Sequence, residues 1–414
     1  MGAHVAGAGV GGVTLDCGTV LLAALALQAL LVAAFAVQLQ RRRRERRRWP
    51  PEPPGGWPRA EVVLCLRGAD ASLPAVLAAL AAQRYPGAWR LQVVVDASAD
   101  PAWPVLEHFR ARAPRLSLQL QALEQRPPAG SLKCAALRQA FAALHPDAAV
   151  VALVDADAVV GPTWLADLVL ACLRPGVGAV SGNRWYQPSG GSLAGHTRAV
   201  WNAGALVLMT LLAIPWGGSL AVRREVVEAG AWTRLLEHGL CEDTGLLAPL
   251  RALALRFEFR PELLVIDHDD TISLPPLRRW ITRQLLTARL HHPAWPLVAL
   301  HGIGSALLLA GAALQGAWRA VGLYELGCIA LLLAIEATAL ERPPRQLGGW
   351  LRALLPGQLI DGWATLAAAL ARQVEWRGVH YRLTRHPKGV VAEAFSPSAS
   401  VAAGSPSTPA GSRR

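Results

Sequence analysis

The feature that most constrains this chain is an apolar run from Cys17 to Leu39, interrupted only by two glutamines and a threonine. A helix rises about 1.5 Å per residue, so a run of this length crosses a hydrocarbon core of about 30 Å. A signal peptide carries its positive charges before the apolar run, whereas here Arg41–Arg44 and Arg46–Arg48 follow it. We therefore predict a membrane anchor at residues 17–39, preceded by a short tail at residues 1–16.

These arginines also account for much of the basic balance of the chain. Seven arginines and Glu45 together carry a net charge of +6, which is half of the formal net charge of +12. No basic stripe is interleaved with aromatic residues and no nucleic-acid-reading motif occurs, so we expect no nucleic-acid partner. The positive-inside rule places the arginines in the cytoplasm, beside anionic lipid head groups, and the N-terminus outside. Residues 40–58, which end in WPPEPPGGWP, are predicted to be a stiff linker.

The pattern beyond the linker is that of a globular domain, which we place at residues 59–294. The predicted strands are 61–66, 91–95, 117–121 and 149–154, and the predicted helices are 72–83 and 132–144. Such alternation is typical of an α/β fold, a mostly parallel sheet with helices on both faces. A further apolar run, 205–216, is too short to span a bilayer and is either a buried helix or a segment that dips into the membrane face.

Apolar sequence returns after this domain, and 53% of the whole chain is hydrophobic against 17% charged. Residues 295–372 are predicted to hold the C-terminal membrane segments, with span candidates at 295–318 and 321–339. A third stretch, 351–371, is either a span or an interfacial helix. Residues 373–414 are predicted to be a basic and then disordered tail. We expect a multi-pass protein of the inner cell membrane with a cytoplasmic globular domain.

Two aspartates at the end of the most apolar predicted strand carry the strongest chemical signal. Asp155-Ala156-Asp157 follows AVVALV directly, and residues i and i+2 of a strand point to the same side. Ligands of open α/β sheets bind at the carboxyl edge of the strands. Mg²⁺ or Mn²⁺ prefers such oxygens and also bridges the diphosphate of a nucleotide. A single Asp-x-Asp pair is also explained by one aspartate that caps a helix and one that is solvated. Other charged residues near the pair are therefore needed to favour a metal site.

Other charged residues follow at positions where neighbouring elements begin or end. Asp96 and Asp100 come after the strand at 91–95, at the edge where a nucleotide base and ribose bind. Lys133 is the only lysine of the globular domain, and its compact charge suits a phosphate. Glu242 and Asp243 form another acidic pair, in which Asp243 has the alternative role of capping the next helix.

The motifs LCLRGAD, VVVDASADPAW, SLKCAAL, VDAD, GNRWY, IPWGGSLA and CEDT occur in this order, followed by Arg279-Trp280. Their order resembles that of the inverting family 2 glycosyltransferases with a GT-A fold, and most closely the bacterial relatives of ceramide glucosyltransferase. The resemblance runs from about residue 61 to about residue 295, between membrane segments that this group also has. The tail segment Glu375–Gly378, with Tyr381, resembles a short motif that closes such transferases.

For the donor, the resemblance implies a role for each motif. Asp96, or Asp100 in its place, would hold the uracil or ribose of a UDP-sugar, and Lys133 would face its phosphates. Asp155 would lie on the sugar-nucleotide side, and Asp157 would bind the divalent metal, Mg²⁺ or Mn²⁺.

For the acceptor, the resemblance implies that Asp243 is the base that takes the proton from the acceptor hydroxyl, with Glu242 orienting it. Arg279 would assist the leaving diphosphate, and Trp280 would line the acceptor cleft. The (Gln/Arg)-x-x-Arg-Trp motif departs from the family pattern at Pro276, its first position. Arg283 and Gln284, one helical turn further on, are the candidates to substitute.

These observations predict a membrane-bound enzyme that moves a sugar from a nucleotide-sugar donor to a lipid acceptor. A processive polysaccharide synthase is an alternative, although such synthases use the glutamine form of the last motif and usually have more spans. A catalytically inactive, membrane-anchored interaction protein is the other alternative, and the retention of every expected carboxylate argues against it.

Overall fold

A computed structural model describes residues 16–269, 271–386 and 389–395. Its centre is a seven-stranded sheet of β1 (Arg59–Leu66), β2 (Trp89–Val95), β3 (Leu118–Ala122), β4 (Ala148–Val154), β5 (Val177–Tyr186), β6 (Ser219–Arg223) and β7 (Arg256–Asp267). The order is β3-β2-β1-β4-β6-β5-β7, and within this sheet β6 alone runs antiparallel to its neighbours. The four strands predicted from the sequence are confirmed to within two residues at each end.

The helices, in chain order, are α1 (Cys17–Arg46), α2 (Leu73–Ala81), α3 (Ala102–Arg112), α4 (Leu132–Ala142), α5 (Trp164–Cys172), α6 (Leu193–Leu212), α7 (Arg224–Glu228), α8 (Ala231–Leu236), α9 (Leu247–Ala252), α10 (Leu274–His291), α11 (Trp295–Leu314), α12 (Trp318–Leu340) and α13 (Leu347–Leu370). One face of the sheet packs against α2, α3 and α5, and the other packs against α4 and α7–α9. The predicted helix layers on both faces are therefore confirmed. Because both faces are covered, a central strand such as β4 is almost continuously buried, which explains why AVVALV has no polar alternation.

Among the described residues, three helices, α1, α11 and α12, are long and apolar enough to cross a membrane. Their bounds differ from the predicted ones, because α11 ends at Leu314 and Trp318 begins α12. The third C-terminal stretch forms α13, which contains Pro356 and is not among these three. Residues 205–212 belong to α6, and the side of this helix that packs against α1 and α13 is buried. This agrees with the buried-helix alternative for that apolar run.

The arginine-rich end of α1 is bound to the globular domain. Residues 40–46, predicted as part of the linker, instead continue the helix. Arg46 pairs with Asp167 on α5, and Arg42 lies 3.2 Å from Glu258 on β7. Arg174 and Arg260 also pair with Glu258, at 2.8 and 3.3 Å. The pairs of Arg42 and Arg46 fix the direction in which α1 leaves the sheet.

The region from residue 373 was predicted to be a tail, but the structure forms a second sheet there. Its antiparallel strands are β8 (Gln373–Trp376), β9 (Val379–His386) and β10 (Gly389–Phe395). This sheet docks on the globular domain, because Gly130 N donates to Ala392 O at 2.7 Å and Ala392 N donates to His238 O at 2.9 Å. Residues 396–414, where disorder was predicted, lie outside the described residues.

Candidate functional site

A cavity of about 390 Å³ lies at the carboxyl ends of β1, β2 and β4 and continues between α6, α10, α11 and α13. Its lining brings together most of the site residues predicted from the sequence. These are Asp96, Lys133, Asp155, Asp157, Glu242, Asp243 and Trp280. Asp100 and Arg279 do not belong to the lining.

Lys133 lies between two carboxylates. It is the second residue of α4, whose start is capped by Ser131. Its Nζ is 2.8 Å from Asp155 Oδ1 and 2.6 Å from Glu242 Oε1. Although burial disfavours its charge, the two carboxylates raise the pKa of Lys133 well above its ordinary value. Burial also raises the pKa of Glu242. Lys133 and Glu242 therefore both bind a proton more tightly than they would in water.

Asp157 is paired with a buried arginine. Arg184, on β5, donates to Asp157 Oδ1 at 2.6 Å and to Oδ2 at 2.9 Å. Burial opposes ionisation of Asp157, but the guanidinium outweighs it and keeps the pKa of the carboxyl well below its usual range. Asp157 is therefore a carboxylate at every physiological pH, and Arg184 fixes its direction.

Asp96 and Asp100, which the sequence left as alternatives, have different surroundings. Asp100 accepts hydrogen bonds from the backbone N–H groups of Gly68 and Ala102, both at 2.9 Å, so it holds the loop after β1 and the start of α3. Asp96 Oδ2 accepts from Arg67 and Arg126, while its Oδ1 is buried without a hydrogen-bond partner. Of the two, only Asp96 lines the cavity, and among the described residues its Oδ1 has no protein donor.

Asp243 caps a turn, as one of its two predicted roles required, and it also lines the cavity. Its Oδ1 accepts from Thr244 N at 2.6 Å and caps the 3₁₀ turn Thr244–Leu246. Its Oδ2 accepts from Gly217 N at 2.9 Å, and the residue lines the cavity. A Cβ atom added to Gly217 would collide with Glu242, and one added to Gly218 would collide with Asp155 and Trp216. The glycines therefore allow the turn before β6 to pass against the carboxylates.

On α10, the arginine that lines the cavity differs from the one that the family motif implied. Arg279 is exposed, whereas Arg283, one turn further on, lines the cavity together with Gln284. The Arg283 guanidinium lies 4.9 Å from the centre of the Trp376 ring, and burial lowers the pKa of Arg283. Trp280 lines the cavity as predicted.

Two arginines of the site have no role in the sequence analysis. Arg184 stands in the quoted motif GNRWY, but its contact with Asp157 joins β5 to the end of β4, two strands that β6 separates in the sheet. Arg377 stands in the tail motif, in the tight turn between β8 and β9, where its φ is +52°. Its Nη1 lies 2.6 Å from Asp70 Oδ1, and the residue lines the cavity. The alternation of apolar and polar residues from Val379 to Thr384 predicts a strand, and it could have placed Arg377 in a turn before that strand.

The donor set at the carboxyl end of β4 fits a divalent cation shared with a diphosphate. The side chains of Asp155 and Asp157 are 28% and 43% exposed. Arg184 uses one lone pair of each Asp157 oxygen, which leaves the other lone pairs for a cation. Mg²⁺ and Mn²⁺ are commonly held by one or two carboxylates, with phosphate oxygens and water completing the shell. Within the described residues no group of three His, Cys, Asp or Glu side chains is placed to hold a metal. These residues therefore suit a cation that arrives with its nucleotide.

Comparison with known proteins gives a family and a fold. The model of the family described as "Glycosyl transferase family 21" matches residues 21–388. No curated protein matches the chain. Among solved structures, mannosyltransferase PcManGT from Pyrobaculum calidifontis, in complex with GDP-Man and Mn²⁺, is similar with a TM-score of 0.54 and 19% identity over 86% of this chain and 99% of that chain. Glucosyl-3-phosphoglycerate synthase from Mycobacterium tuberculosis matches with a TM-score of 0.37 and 17% identity over 59% of this chain and 87% of its own. The first likeness shows a shared GT-A fold.

Proposed function

Because this chain belongs to glycosyltransferase family 21, we propose that it is a membrane-bound inverting transferase. It moves a sugar from a UDP-sugar to a lipid acceptor, in a reaction like that of ceramide glucosyltransferase. The reaction takes place at the cytoplasmic face of the inner membrane. One observation carries this proposal: a single cavity joins the charged edge of the sheet to the interior of an apolar helix bundle. A soluble donor can enter at the first end and a lipid at the second.

The charged end of the cavity suits a nucleoside diphosphate. Asp96, whose Oδ1 has no donor among the described residues, would accept from the uracil N–H or a ribose hydroxyl. Asp157 and Asp155 would hold Mg²⁺ or Mn²⁺, which when bound takes up negative charge on the leaving diphosphate. The cationic side chains of Arg283 and Arg377 line the same part of the cavity and would face the diphosphate oxygens.

For the acceptor, Asp243 is the base of this proposal. Asp243 would take the proton from the acceptor hydroxyl while that oxygen attacks the anomeric carbon, and UDP would leave from the opposite side. One displacement of this kind inverts the anomeric centre. The hydrogen bonds from Gly217 N and Thr244 N hold the Asp243 carboxylate in position. Glu242, which we predicted to orient the base, makes its ion pair with Lys133 instead, so we assign it to holding that lysine.

The outer surface of the helices supports a membrane location. Large apolar side chains stand exposed along α1, α11, α12 and α13, among them Leu30, Leu300, Leu326 and Leu370 at 67%, 71%, 67% and 72%. An apolar surface of this extent marks a membrane or interaction site. On α13 the exposed leucines recur every four residues from Leu351 to Leu359, so this helix presents one apolar side outward.

The test is UDP release by the purified full-length protein, with and without lipid, combined with mass spectrometry of the products. We expect lipid-dependent UDP release and a lipid that carries one added hexose. Asp157→Ala should lower turnover by more than about 10³-fold, since charge stabilisation by a metal is worth several kcal/mol of the barrier. Asp147→Ala is the matched control, because Asp147 is 81% exposed, lies outside the cavity and should retain turnover.

Three other outcomes contradict the proposal. A ladder of long sugar chains indicates a processive synthase. Absence of UDP release with any donor and lipid indicates an inactive interaction protein. Undiminished turnover of Asp157→Ala in Mg²⁺ or Mn²⁺ removes the metal assignment.

A further inference from the structure

The cavity continues past the catalytic residues and ends in a polar group of side chains inside the helix bundle. Its middle stretch is apolar and includes Leu208, Met209, Leu285 and Val298. Beyond it the lining becomes polar again, with Trp201, His301, Gln358 and Asp361. We call these four residues the deep polar site. Ionisable side chains inside an apolar bundle are costly, and they generally mark the place where a polar ligand binds.

The deep polar site offers hydrogen-bond acceptors for which the protein provides no donor. Asp361 Oδ1 accepts from Trp201 Nε1 at 2.9 Å, but within the described part of the chain no hydrogen bond reaches Asp361 Oδ2. Gln358 Oε1 is buried without a partner. His301 Nε2 lies 3.5 Å from the amide nitrogen of Gln28, so it serves as an acceptor for that amide. Buried acceptors of this kind need a donor from elsewhere.

A second buried carboxylate in the same bundle shows that the helices can satisfy such a group completely, although Glu325 Oε1, outside the cavity, is also buried without a partner among the described residues. Glu336, on α12, also accepts from a tryptophan, since Trp350 Nε1 lies 2.9 Å from its Oε2. Its Oε1 accepts from Arg345 N at 2.9 Å, so both oxygens are satisfied by protein. Glu336 does not line the cavity.

We propose that Asp361 and Gln358 bind a hydroxyl or amide N–H on the lipid acceptor, at a second point distinct from the hydroxyl that receives the sugar. This inference rests on the proposed function. Gln358 Oε1 and Asp361 Oδ2 are both acceptors, so a ligand group that satisfies the two of them carries an O–H or N–H. The ester carbonyls of a diacylglycerol only accept hydrogen bonds and leave both oxygens unsatisfied.

The deep polar site is also connected to the catalytic end through aromatic side chains. Trp201, which donates to Asp361, packs edge-to-face on Trp280 with ring centroids 5.3 Å apart. Trp280 lines the acceptor side of the cavity. A lipid held at Asp361 is thereby aligned along the wall that leads to Asp243, which makes the deep polar site a determinant of acceptor specificity.

The experiment compares two lipids of equal chain length, a long-chain N-acyl amino alcohol and a diacylglycerol, as acceptors for the wild-type protein and three variants. Asp361→Asn retains the acceptor for Trp201 but replaces Oδ2 by an amide, and Gln358→Met removes the unpartnered oxygen. Glu336→Gln is the matched control. We expect the wild type to favour the N-acyl amino alcohol by about 10-fold or more in kcat/KM, since a site built to bind a donor rejects an analogue that lacks it.

Asp361→Asn and Gln358→Met should bring this ratio close to one without changing the KM for the donor, while Glu336→Gln keeps the ratio. If Asp361→Asn does not fold, Gln358→Met alone decides. A ratio unchanged in the folded variants, or a wild type that uses both lipids equally, overturns the inference and indicates that water satisfies these oxygens. A wild type that glycosylates neither lipid contradicts the proposed function itself.

Discussion

Replacing Lys133 by methionine tests how much of the site is held together by one buried charge. In the native protein its Nζ bridges Asp155 at 2.8 Å and Glu242 at 2.6 Å, and the Glu242 side chain is only 2% exposed. Methionine retains most of the unbranched stem, so Lys133→Met removes the charge with little change in packing.

The loss of stability in Lys133→Met depends on how well Asp155 and Glu242 are stabilised without the lysine. Removing one partner of a buried ion pair costs about 3–5 kcal/mol, because the other charge is left uncompensated. Asp155 is 28% exposed and has Arg184 at 3.9 Å, so water and this guanidinium stabilise it. The penalty therefore arises mainly at Glu242, and we expect about 3 kcal/mol, which corresponds to a fall in Tm of about 6–12 °C.

The penalty should depend on pH in a defined direction. Burial already raises the pKa of Glu242 with Lys133 opposing it, so loss of the lysine raises it further. A carboxyl group whose pKa is higher in the folded state contributes stability that is lost as the pH rises from its unfolded value, about 4.3, through its folded value. Thermal melts should therefore show a larger loss at about pH 8 than at about pH 5.5.

The double variant Lys133→Met/Glu242→Gln provides the control, since a neutral amide leaves no unpaired charge. It should recover most of the lost Tm. The reasoning is refuted if Lys133→Met melts within about 2 °C of wild type at about pH 8, or if the double variant is less stable than the single one. If the double variant is stable and its KM for the donor is unchanged, Lys133 has no role in binding phosphate.

Three further predictions concern the base, the tail turn and the orientation. Asp243→Asn should lose about 10²–10⁴-fold in turnover while keeping donor affinity; asparagine caps about as well as aspartate, so retained turnover removes Asp243 from the catalytic residues. Arg377→Asn should raise the KM for the UDP-sugar about tenfold without lowering Tm, since asparagine tolerates positive φ well; an unchanged KM would show that Arg377 serves only to bind Asp70. A cysteine at the exposed linker position, Glu52→Cys, should resist membrane-impermeant maleimide in intact cells and react after lysis, whereas labelling of intact cells contradicts a cytoplasmic domain.

Local patterns in the sequence predicted much of the architecture. An apolar run of span length, an alternation of strand and helix, and a buried strand followed by Asp155 and Asp157 each depend on residues that are neighbours in the chain. The strands of residues 373–395 were missed although Val379–Thr384 alternates apolar and polar residues, because the segment is short and its strands are stabilised partly by docking on the globular domain. The C-terminal ends of α1 and α11 also differ from the predicted ends. Whether the last turn of a helix forms depends on tertiary contacts of its side chains, which the local sequence does not specify.

The tertiary structure alone decided which charges meet. Asp96 and Asp100 are equivalent in the sequence, and they differ only because Gly68 and Ala102 occupy the oxygens of Asp100. Arg184 reaches Asp157 because β5 and β4 lie on either side of β6, a sheet order that no local spacing encodes. Pairings of this kind join residues far apart in the chain, and their energies depend on distance and burial, which exist only once the chain has folded.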